Sequence, residues 1–205
     1  MDLKVAGASN IQSGKYSNIA IKGTSRMLGD IQCDNFFVSG VVKGESVECN
    51  GKVKIYGKAI FNNNVKSQDI EVKGKLIALD VEVADEFDCD GGVVCDNLKA
   101  KEIELNNSGS TSIQQIEGQD IEITMSASKK FLRSILFFSR KKKEGLNVQV
   151  RDYIQGEDIS LQYVTTPKVS GKNIVIGDGC KIDLVEYKDV IVISPKAKVG
   201  KVNKV

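Results

Sequence analysis

The side chains that could carry chemistry are the carboxylates, the cysteines and one dense group of cations. The 205-residue chain contains no histidine, which removes histidine acid–base chemistry, Ser-His and Cys-His nucleophile pairs, and histidine-ligated zinc or haem. The nearest match to a phosphate-binding loop, between Gly44 and Lys52, has six residues between its glycines and no Ser or Thr after the lysine. We therefore predict a protein that is not an enzyme and has no catalytic site, cofactor, metal or small-molecule substrate.

Five cysteines, an odd number without a CxxC pair, do not resemble a disulfide framework. Cys33 and Cys49 occupy a repeat position that holds Ser67, Ala84 and Ala100 in other units, which favours small buried residues over ligands. The opening MDLKVAGASN lacks the basic start and apolar run of a signal peptide. We expect a reducing cytoplasmic location.

Acidic and amide residues recur at one position of a repeated unit. That position favours hydrogen bonds to the local backbone at turns over a catalytic carboxylate site. Its members are Asn35, Asp69, Asp120, Asp158, Asn173 and Asp189.

The cations are concentrated in residues 129–143, KKFLRSILFFSRKKK, which carry seven positive charges and no negative one. Helical spacing places the large apolar side chains on one arc of about 160°. This pattern predicts an amphipathic helix that binds an anionic membrane surface. The predicted membrane contacts are apolar Phe131, Leu132, Ile135, Leu136 and Phe138, and cationic Lys129, Lys130, Arg133, Arg140, Lys141, Lys142 and Lys143.

Two other interpretations of the basic segment remain open. Its apolar face could pack on the rest of the protein, since proteins rarely expose five large apolar side chains together. It could also bind a partner protein or nucleic acid, although nucleic acid is the weaker alternative because the positive charge is confined to one short stretch.

The rest of the chain is a repeat of a small residue, any residue, Asn or Asp, and then apolar-x-apolar. Examples are SQDIEV at 67–72, GQDIEI at 118–123 and GKNIVI at 171–176. The units recur every 15–18 residues, and a glycine recurs every 17 residues from Gly23 to Gly91. A fixed short period with one or two strands per unit is typical of a solenoid.

A period of about 17 residues predicts an all-β fold, a β-helix (β-solenoid) whose coils have three short faces. We expect ten to twelve stacked coils and positive φ angles at the recurrent glycines. In the stack, Ile70 should lie near Phe87 and near Phe36 or Val53. The apolar-x-apolar pairs predict these buried side chains: Ile70, Val72, Phe87, Ile103, Leu105, Ile121, Ile123, Ile159, Leu161, Ile174 and Ile176.

The chain resembles the bactofilins, bacterial polymer-forming cytoskeletal proteins. The resemblance rests on VSGVVKGESVECNGKVKIYGKAIFNNNVKS and SQDIEVKGKLIAL, with their V-x-G-x-[IV] turns, and on VSGKNIVIGDGCKIDLVEYKDVIVISPKAKV near the C-terminus. It implies a right-handed, three-faced β-helix that assembles end to end without a nucleotide. It also implies a cytoplasmic scaffold at the inner face of the cell membrane that positions envelope or motility proteins.

Both ends of the chain alternate like strands and carry no capping helix, so open coil ends should pair with further copies. We predict homo-oligomers assembled through Val5, Val199 and Val202. The alternative is a non-polymerising adaptor in which lysines such as Lys4 and Lys201 keep the ends soluble. The predicted organisation is an N-terminal solenoid at 1–124, a basic helix at 125–145, and a C-terminal solenoid at 146–205 that continues the same stack.

Overall fold

The structure, a computed structural model, describes residues 1–125 and 147–205. Within these residues the protein is all-β, with 25 strands and no α-helix. The predicted helix at 125–145 falls almost entirely outside the described residues and stays a prediction.

The strands are numbered in chain order. The first thirteen are β1 (Leu3–Val5), β2 (Ala8–Ile11), β3 (Gly14–Lys15), β4 (Asn18–Ile21), β5 (Thr24–Met27), β6 (Ile31–Cys33), β7 (Asn35–Val38), β8 (Val41–Gly44), β9 (Val47–Cys49), β10 (Lys52–Ile55), β11 (Lys58–Phe61), β12 (Val65–Ser67) and β13 (Asp69–Val72). The remainder are β14 (Lys75–Ile77), β15 (Asp80–Val83), β16 (Glu86–Cys89), β17 (Gly92–Lys99), β18 (Glu102–Asn107), β19 (Ser112–Glu117), β20 (Asp120–Met125), β21 (Val148–Gln155), β22 (Asp158–Leu161), β23 (Val164–Ile176), β24 (Lys181–Ile193) and β25 (Lys198–Lys204).

The strands stack in three parallel ladders, which we call A, B and C in the order in which the chain visits them. Ladder A begins with β1, β4 and β7, ladder B with β2, β5 and β8, and ladder C with β3, β6 and β9. Ten successive pairings in ladder A join eleven coils, from β1 to the last part of β24. The predicted parallel β-solenoid with a period of about 17 residues is confirmed.

The core lies inside the three ladders. All eleven side chains predicted to be buried are at most 3% exposed. Ile70 pairs with Val53 on one side and Phe87 on the other, as predicted. Each side chain stacks on its equivalents in neighbouring coils. Burial of one Ile or Phe therefore stabilises the folded state by about 1.5–3 kcal/mol only when those coils are present.

The recurrent glycines do not have the predicted positive φ angles, which in the described residues occur among glycines only at Gly14, Gly29 and Gly179. Glycine is required at these positions because the backbones of adjacent coils approach closely at the corner between ladders A and B. A Cβ built on Gly40 would lie 1.9 Å from the carbonyl oxygen of Gly23. A Cβ built on Gly57 would lie 1.9 Å from the carbonyl oxygen of Gly40. Only a residue without a Cβ fits where backbone packs directly on backbone.

Two assignments of repeat positions are corrected by the pairing register. Ser67 pairs with Val83, so Val83 and not Ala84 continues the column of small residues that contains Cys49. Likewise Asn173 pairs with Val190 and not with Asp189, because β24 contains one extra residue at this point.

Strand pairing continues across the interruption at 126–146. In ladder A, β20 pairs with β22, and in ladders B and C, β19 pairs with β21. The interruption therefore lies between the end of a ladder A strand and the start of a ladder B strand. One coil earlier, only four residues connect the equivalent positions, Asn107 and Ser112.

Candidate assembly ends and charged surfaces

The N-terminal end of the stack is an open coil. In the described residues, β1, β2 and β3 pair on one side only, with β4, β5 and β6. Val5 is 8% exposed and pairs with Ile21. Within the described residues no strand pairs with the other edge of this coil, whose backbone donors and acceptors are a template for a further strand.

The C-terminal end is open in the same sense. Strand β25 pairs only with β24, and the last part of β24 pairs only with β23 within the described residues. Val199 pairs with Ile182 and is half-buried, whereas Val202 pairs with Val185 and is 43% exposed. The three predicted assembly residues thus lie at opposite ends of the stack, as end-to-end contact requires.

Exposed apolar side chains are concentrated near the C-terminal end. Six of the ten large hydrophobic residues exposed in the described chain belong to residues 175–205. They are Val175, Val190, Val192, Ile193, Val202 and Val205. Val190 and Val192 face outward because Ile191 and Ile193 take the inward positions above Ile174 and Ile176.

The lysines predicted to act as gatekeepers are also present at both ends. Lys4 at the N-terminal end and Lys198, Lys201 and Lys204 at the C-terminal end are exposed. The Lys204 ammonium lies 5.8 Å from the ring centre of Tyr187, within the range of a cation–π contact. Both the assembling and the non-polymerising interpretation of these ends therefore remain open.

The twelve residues predicted to contact a membrane, from Lys129 to Lys143, lie outside the described residues. In residues 1–125 and 147–205, no helix has the length and apolar character needed to cross a bilayer.

The Asn/Asp column forms hydrogen bonds from coil to coil. Asn35 donates from Nδ2 to Oδ1 of Asn18 at 3.0 Å and accepts from the backbone N–H of Lys52 at 3.3 Å. Farther along, Nδ2 of Asn173 donates to Oδ1 of Asp158 at 2.6 Å. These contacts support a structural role in holding adjacent coils in register.

The surface of ladder A carries an acidic face that residue types alone did not single out. Glu71, Asp88, Glu104 and Glu122 are register partners in four successive coils and form its central column. The column beside it contains Asp69, Glu86, Glu102, Asp120 and Asp158. Coils are about 4.8 Å apart, and the described residues contain no group of three potential metal ligands.

The central column of the acidic face contains carboxylates in two opposite environments. Lys73, Tyr56 and Lys54 donate hydrogen bonds that lower the pKa of Glu71 to about 2, against the opposing effect of burial. Burial and the neighbouring carboxylates, Asp88 first among them, raise the pKa of Glu104. No lysine or arginine of the described chain forms an ion pair with Glu104. Its negative charge is therefore repelled by the neighbouring carboxylates and is not neutralised by a cation.

These environments predict opposite effects of Glu-to-Gln substitutions on stability. Because the folded pKa of Glu104 is raised, its contribution to stability is full below the unfolded pKa near 4.5 and is lost as pH rises. Glu104→Gln should therefore stabilise the protein at pH 7, by about 0.5 kcal/mol, and have no effect near pH 4. Glu71→Gln should destabilise it at pH 7 by about 1–2 kcal/mol.

The measurement is urea denaturation of both variants and wild type between pH 4 and pH 7. The stabilising contribution of Glu71 is present above pH 4.5 and is lost as pH falls toward 2. Equal effects of the two substitutions at pH 7 would contradict the pairing described for this column.

A groove of about 840 Å³ runs along the corner between ladders C and A. Its floor consists of small side chains or none, including Cys49, Ser67, Ala100 and Gly118. Charged side chains along one rim pair with each other, as in the 2.8 Å contact between Lys66 and Glu82. The charges of Lys66 and Glu82, and of Lys99 and Glu117 at 3.7 Å, are thus compensated within the protein.

Comparisons with known proteins leave the family open. No protein family model matches the chain, and no solved structure matches it. The chain is similar to the uncharacterized protein YhbF of Bacillus subtilis (strain 168), with 35% identity over 92 residues. This region is 44% of the chain and 34% of YhbF, so the match spans about a third of that protein.

Proposed function

We propose that the protein is a non-enzymatic, self-assembling cytoskeletal scaffold of the bactofilin type that binds anionic membrane through residues 129–143. The observation that carries the proposal is the pair of open coil ends, with exposed apolar residues at the C-terminal one. A protein with this role would lie in the cytoplasm, on the inner face of the cell membrane, and position an envelope or motility protein. The proposed winding of the coils is right-handed, the sense that parallel crossovers strongly prefer.

End-to-end stacking would continue the existing ladders into a second copy. At the C-terminal end, Ile191 and Ile193 belong to the same inward columns of ladder A as Leu3 and Val5 at the N-terminal end. A second copy that places Leu3 and Val5 over these isoleucines would pair backbone groups and cover apolar area together. Such a head-to-tail contact is heterologous and does not close, so it generates filaments.

The acidic face constrains how the solenoid would lie on a membrane. Strand β20 of ladder A ends at Met125, and the basic segment at 129–143 follows it in the sequence. Each cation close to an anionic leaflet contributes about 1 kcal/mol of attraction, and carboxylates are repelled. The solenoid should therefore bind with ladder A turned toward the cytoplasm.

The exposed lysines favour a second candidate function. Head-to-tail stacking that continues ladder C would place Lys15 of one copy over Asn203 of the next, beside Lys201 and Lys204, which opposes assembly. In this alternative the protein is a non-polymerising adaptor, and the basic segment binds a partner protein or nucleic acid.

Assembly of the purified protein decides between these functions. We expect wild type to form filaments without ATP or GTP, seen by negative-stain microscopy with and without anionic liposomes. Val202→Asp should raise the concentration needed for assembly at least about tenfold, because tenfold corresponds to only about 1.4 kcal/mol. Val175→Asp is the matched control, since Val175 is equally exposed but lies on the side of the solenoid.

Gly7→Ala tests the other end without disturbing the fold. Gly7 begins the column of close-packed glycines, but a Cβ there would have no atom within 4 Å. The added methyl group points toward the place where another copy would stack, so assembly should weaken while the monomer stays stable. A wild-type protein that remains monomeric throughout the micromolar range would contradict the scaffold and leave the adaptor.

A further inference from the structure

Two cysteines lie side by side in ladder C. Cys33 ends β6, Cys49 ends β9, and the two residues are direct register partners on parallel strands. Both are inside the corner of the coil, 3% and 4% exposed. Neighbouring strands lie about 4.8 Å apart, which falls within the Cα separation of about 4.4–6.8 Å that a disulfide spans.

Each of the two thiols changes the pKa of the other. The neighbouring thiol of Cys33 lowers the pKa of Cys49 to about 7, whereas Cys49 and burial raise the pKa of Cys33. The neutral thiol of Cys49 also has an acceptor, the carbonyl oxygen of Asp34 at 3.1 Å. Thiolate character at one sulfur, with a second thiol adjacent, is the arrangement of a nucleophile and a resolving group.

Small molecules can approach this pair from two sides. Cys49 lies on the floor of the 840 Å³ groove, and Cys33 lines a second hollow of about 370 Å³ beside Tyr16 and Gln32. Cys89 and Cys95 differ, because burial in the core raises the pKa of each to about 12.

We propose that Cys33 and Cys49 form a peroxide-reactive dithiol site that is converted to an intramolecular disulfide. The Cys49 thiolate attacks one peroxide oxygen, the O–O bond breaks, and hydroxide leaves and takes up a proton to form water. The sulfur of Cys33 then displaces the second hydroxyl group from the Cys49 sulfenic acid as water. Two thiols and one hydrogen peroxide thus give one disulfide and two waters, which ties the second and third coils together.

Mass spectrometry of the reduced full-length protein after hydrogen peroxide treatment tests this site. We expect the intact mass to fall by two hydrogen atoms, and peptide mapping to find the bond between Cys33 and Cys49. Alkylation by iodoacetamide, followed residue by residue, should be half-maximal for Cys49 near pH 7. Cys33→Ala should replace the disulfide with a sulfenic acid trapped by dimedone and raise that midpoint by about one unit or more.

The matched control is Cys95→Ala, which should leave disulfide formation and the alkylation midpoint unchanged. The wild-type measurements alone can overturn the proposal, so it does not depend on the folding of any variant. An unchanged mass, a bond between other cysteines, or alkylation of all five cysteines only after unfolding in urea would each show that Cys33 and Cys49 serve packing alone.

Discussion

Replacement of Gly57 by alanine is expected to lower the free energy of unfolding by about 3–5 kcal/mol, near the upper end of single-substitution effects. The new Cβ would lie 1.9 Å from the carbonyl oxygen of Gly40 and 2.8 Å from the backbone of Ser39. These are backbone atoms of the preceding coil, so the steric clash can be removed only if the two coils move apart. Such a separation would also weaken the stacking of inward neighbours such as Ile55 on Val38.

The control for this prediction is Gly7→Ala, a substitution of the same residue type in the same column. Gly7 belongs to the first coil, where a Cβ meets no atom within 4 Å, and its expected effect is within about 0.5 kcal/mol. Thermal and urea denaturation followed by circular dichroism, at concentrations below any assembly, measures both. Similar stabilities of the two variants would mean that backbone approach does not explain the glycine column.

The glycine column shows which part of the fold could be predicted from sequence. Its 17-residue spacing and the apolar-x-apolar pairs were sufficient for the solenoid, its period and the buried side chains. The reason for the glycines was not predictable, because a positive φ and a close backbone contact leave the same residue type in the sequence. The φ angles of these glycines, and the 1.9 Å between a Cβ built on Gly40 and the carbonyl oxygen of Gly23, separate the two explanations.

The end of the chain shows a limit of a different kind. In the run VIVI at 190–193, both alternating sets of side chains are apolar. Either the valines or the isoleucines could therefore fill the inward positions of the strand. A one-residue shift exchanges the two faces of a strand. The structure places Ile191 and Ile193 at the inward positions, although Ile193 remains 38% exposed in this last coil. The alternate valines face outward and create an apolar surface that the sequence pattern does not assign.

The acidic face was present in the sequence as the middle residue of successive units. DIEV, EFDC, EIEL and DIEI each place an acidic residue between two inward apolar ones. Each alone resembles an ordinary solvated strand. Register turns them into one column, since Asp88 pairs with Glu104 and Glu104 with Glu122. The unequal spacing of the units, 15–18 residues, conceals this alignment until the pairing is known.

The second large effect is expected from replacing residues 126–146 with Ser-Gly. Met125 pairs with Asn107, and Gln149 pairs with Ser112. In the earlier coil, four residues connect Asn107 to Ser112, and Ser-Gly followed by Asn147 and Val148 also supplies four. The variant copies a corner that the protein already makes, so its stability should stay within about 1 kcal/mol of wild type.

The same replacement should abolish binding to anionic liposomes. It removes seven cations and one carboxylate, which changes the formal net charge from +2 to −4. At about 1 kcal/mol of attraction for each cation near an anionic leaflet, the loss of even two would weaken binding more than tenfold. Co-sedimentation with anionic and neutral liposomes measures this effect. The triple variant Phe131→Ser, Ile135→Ser, Phe138→Ser keeps every charge and tests the apolar contribution separately.

The two variants together distinguish a membrane contact from an internal structural role. A segment that lies in the membrane interface contributes through both charge and apolar burial, so both variants should bind less than wild type and both should remain folded. A segment that packs on the solenoid would instead give a less stable protein when its apolar residues are changed. Equal liposome binding by all three proteins, or none by wild type, would contradict the membrane role, whereas loss of stability in the triple variant would place Phe131 and Ile135 in a protein interior.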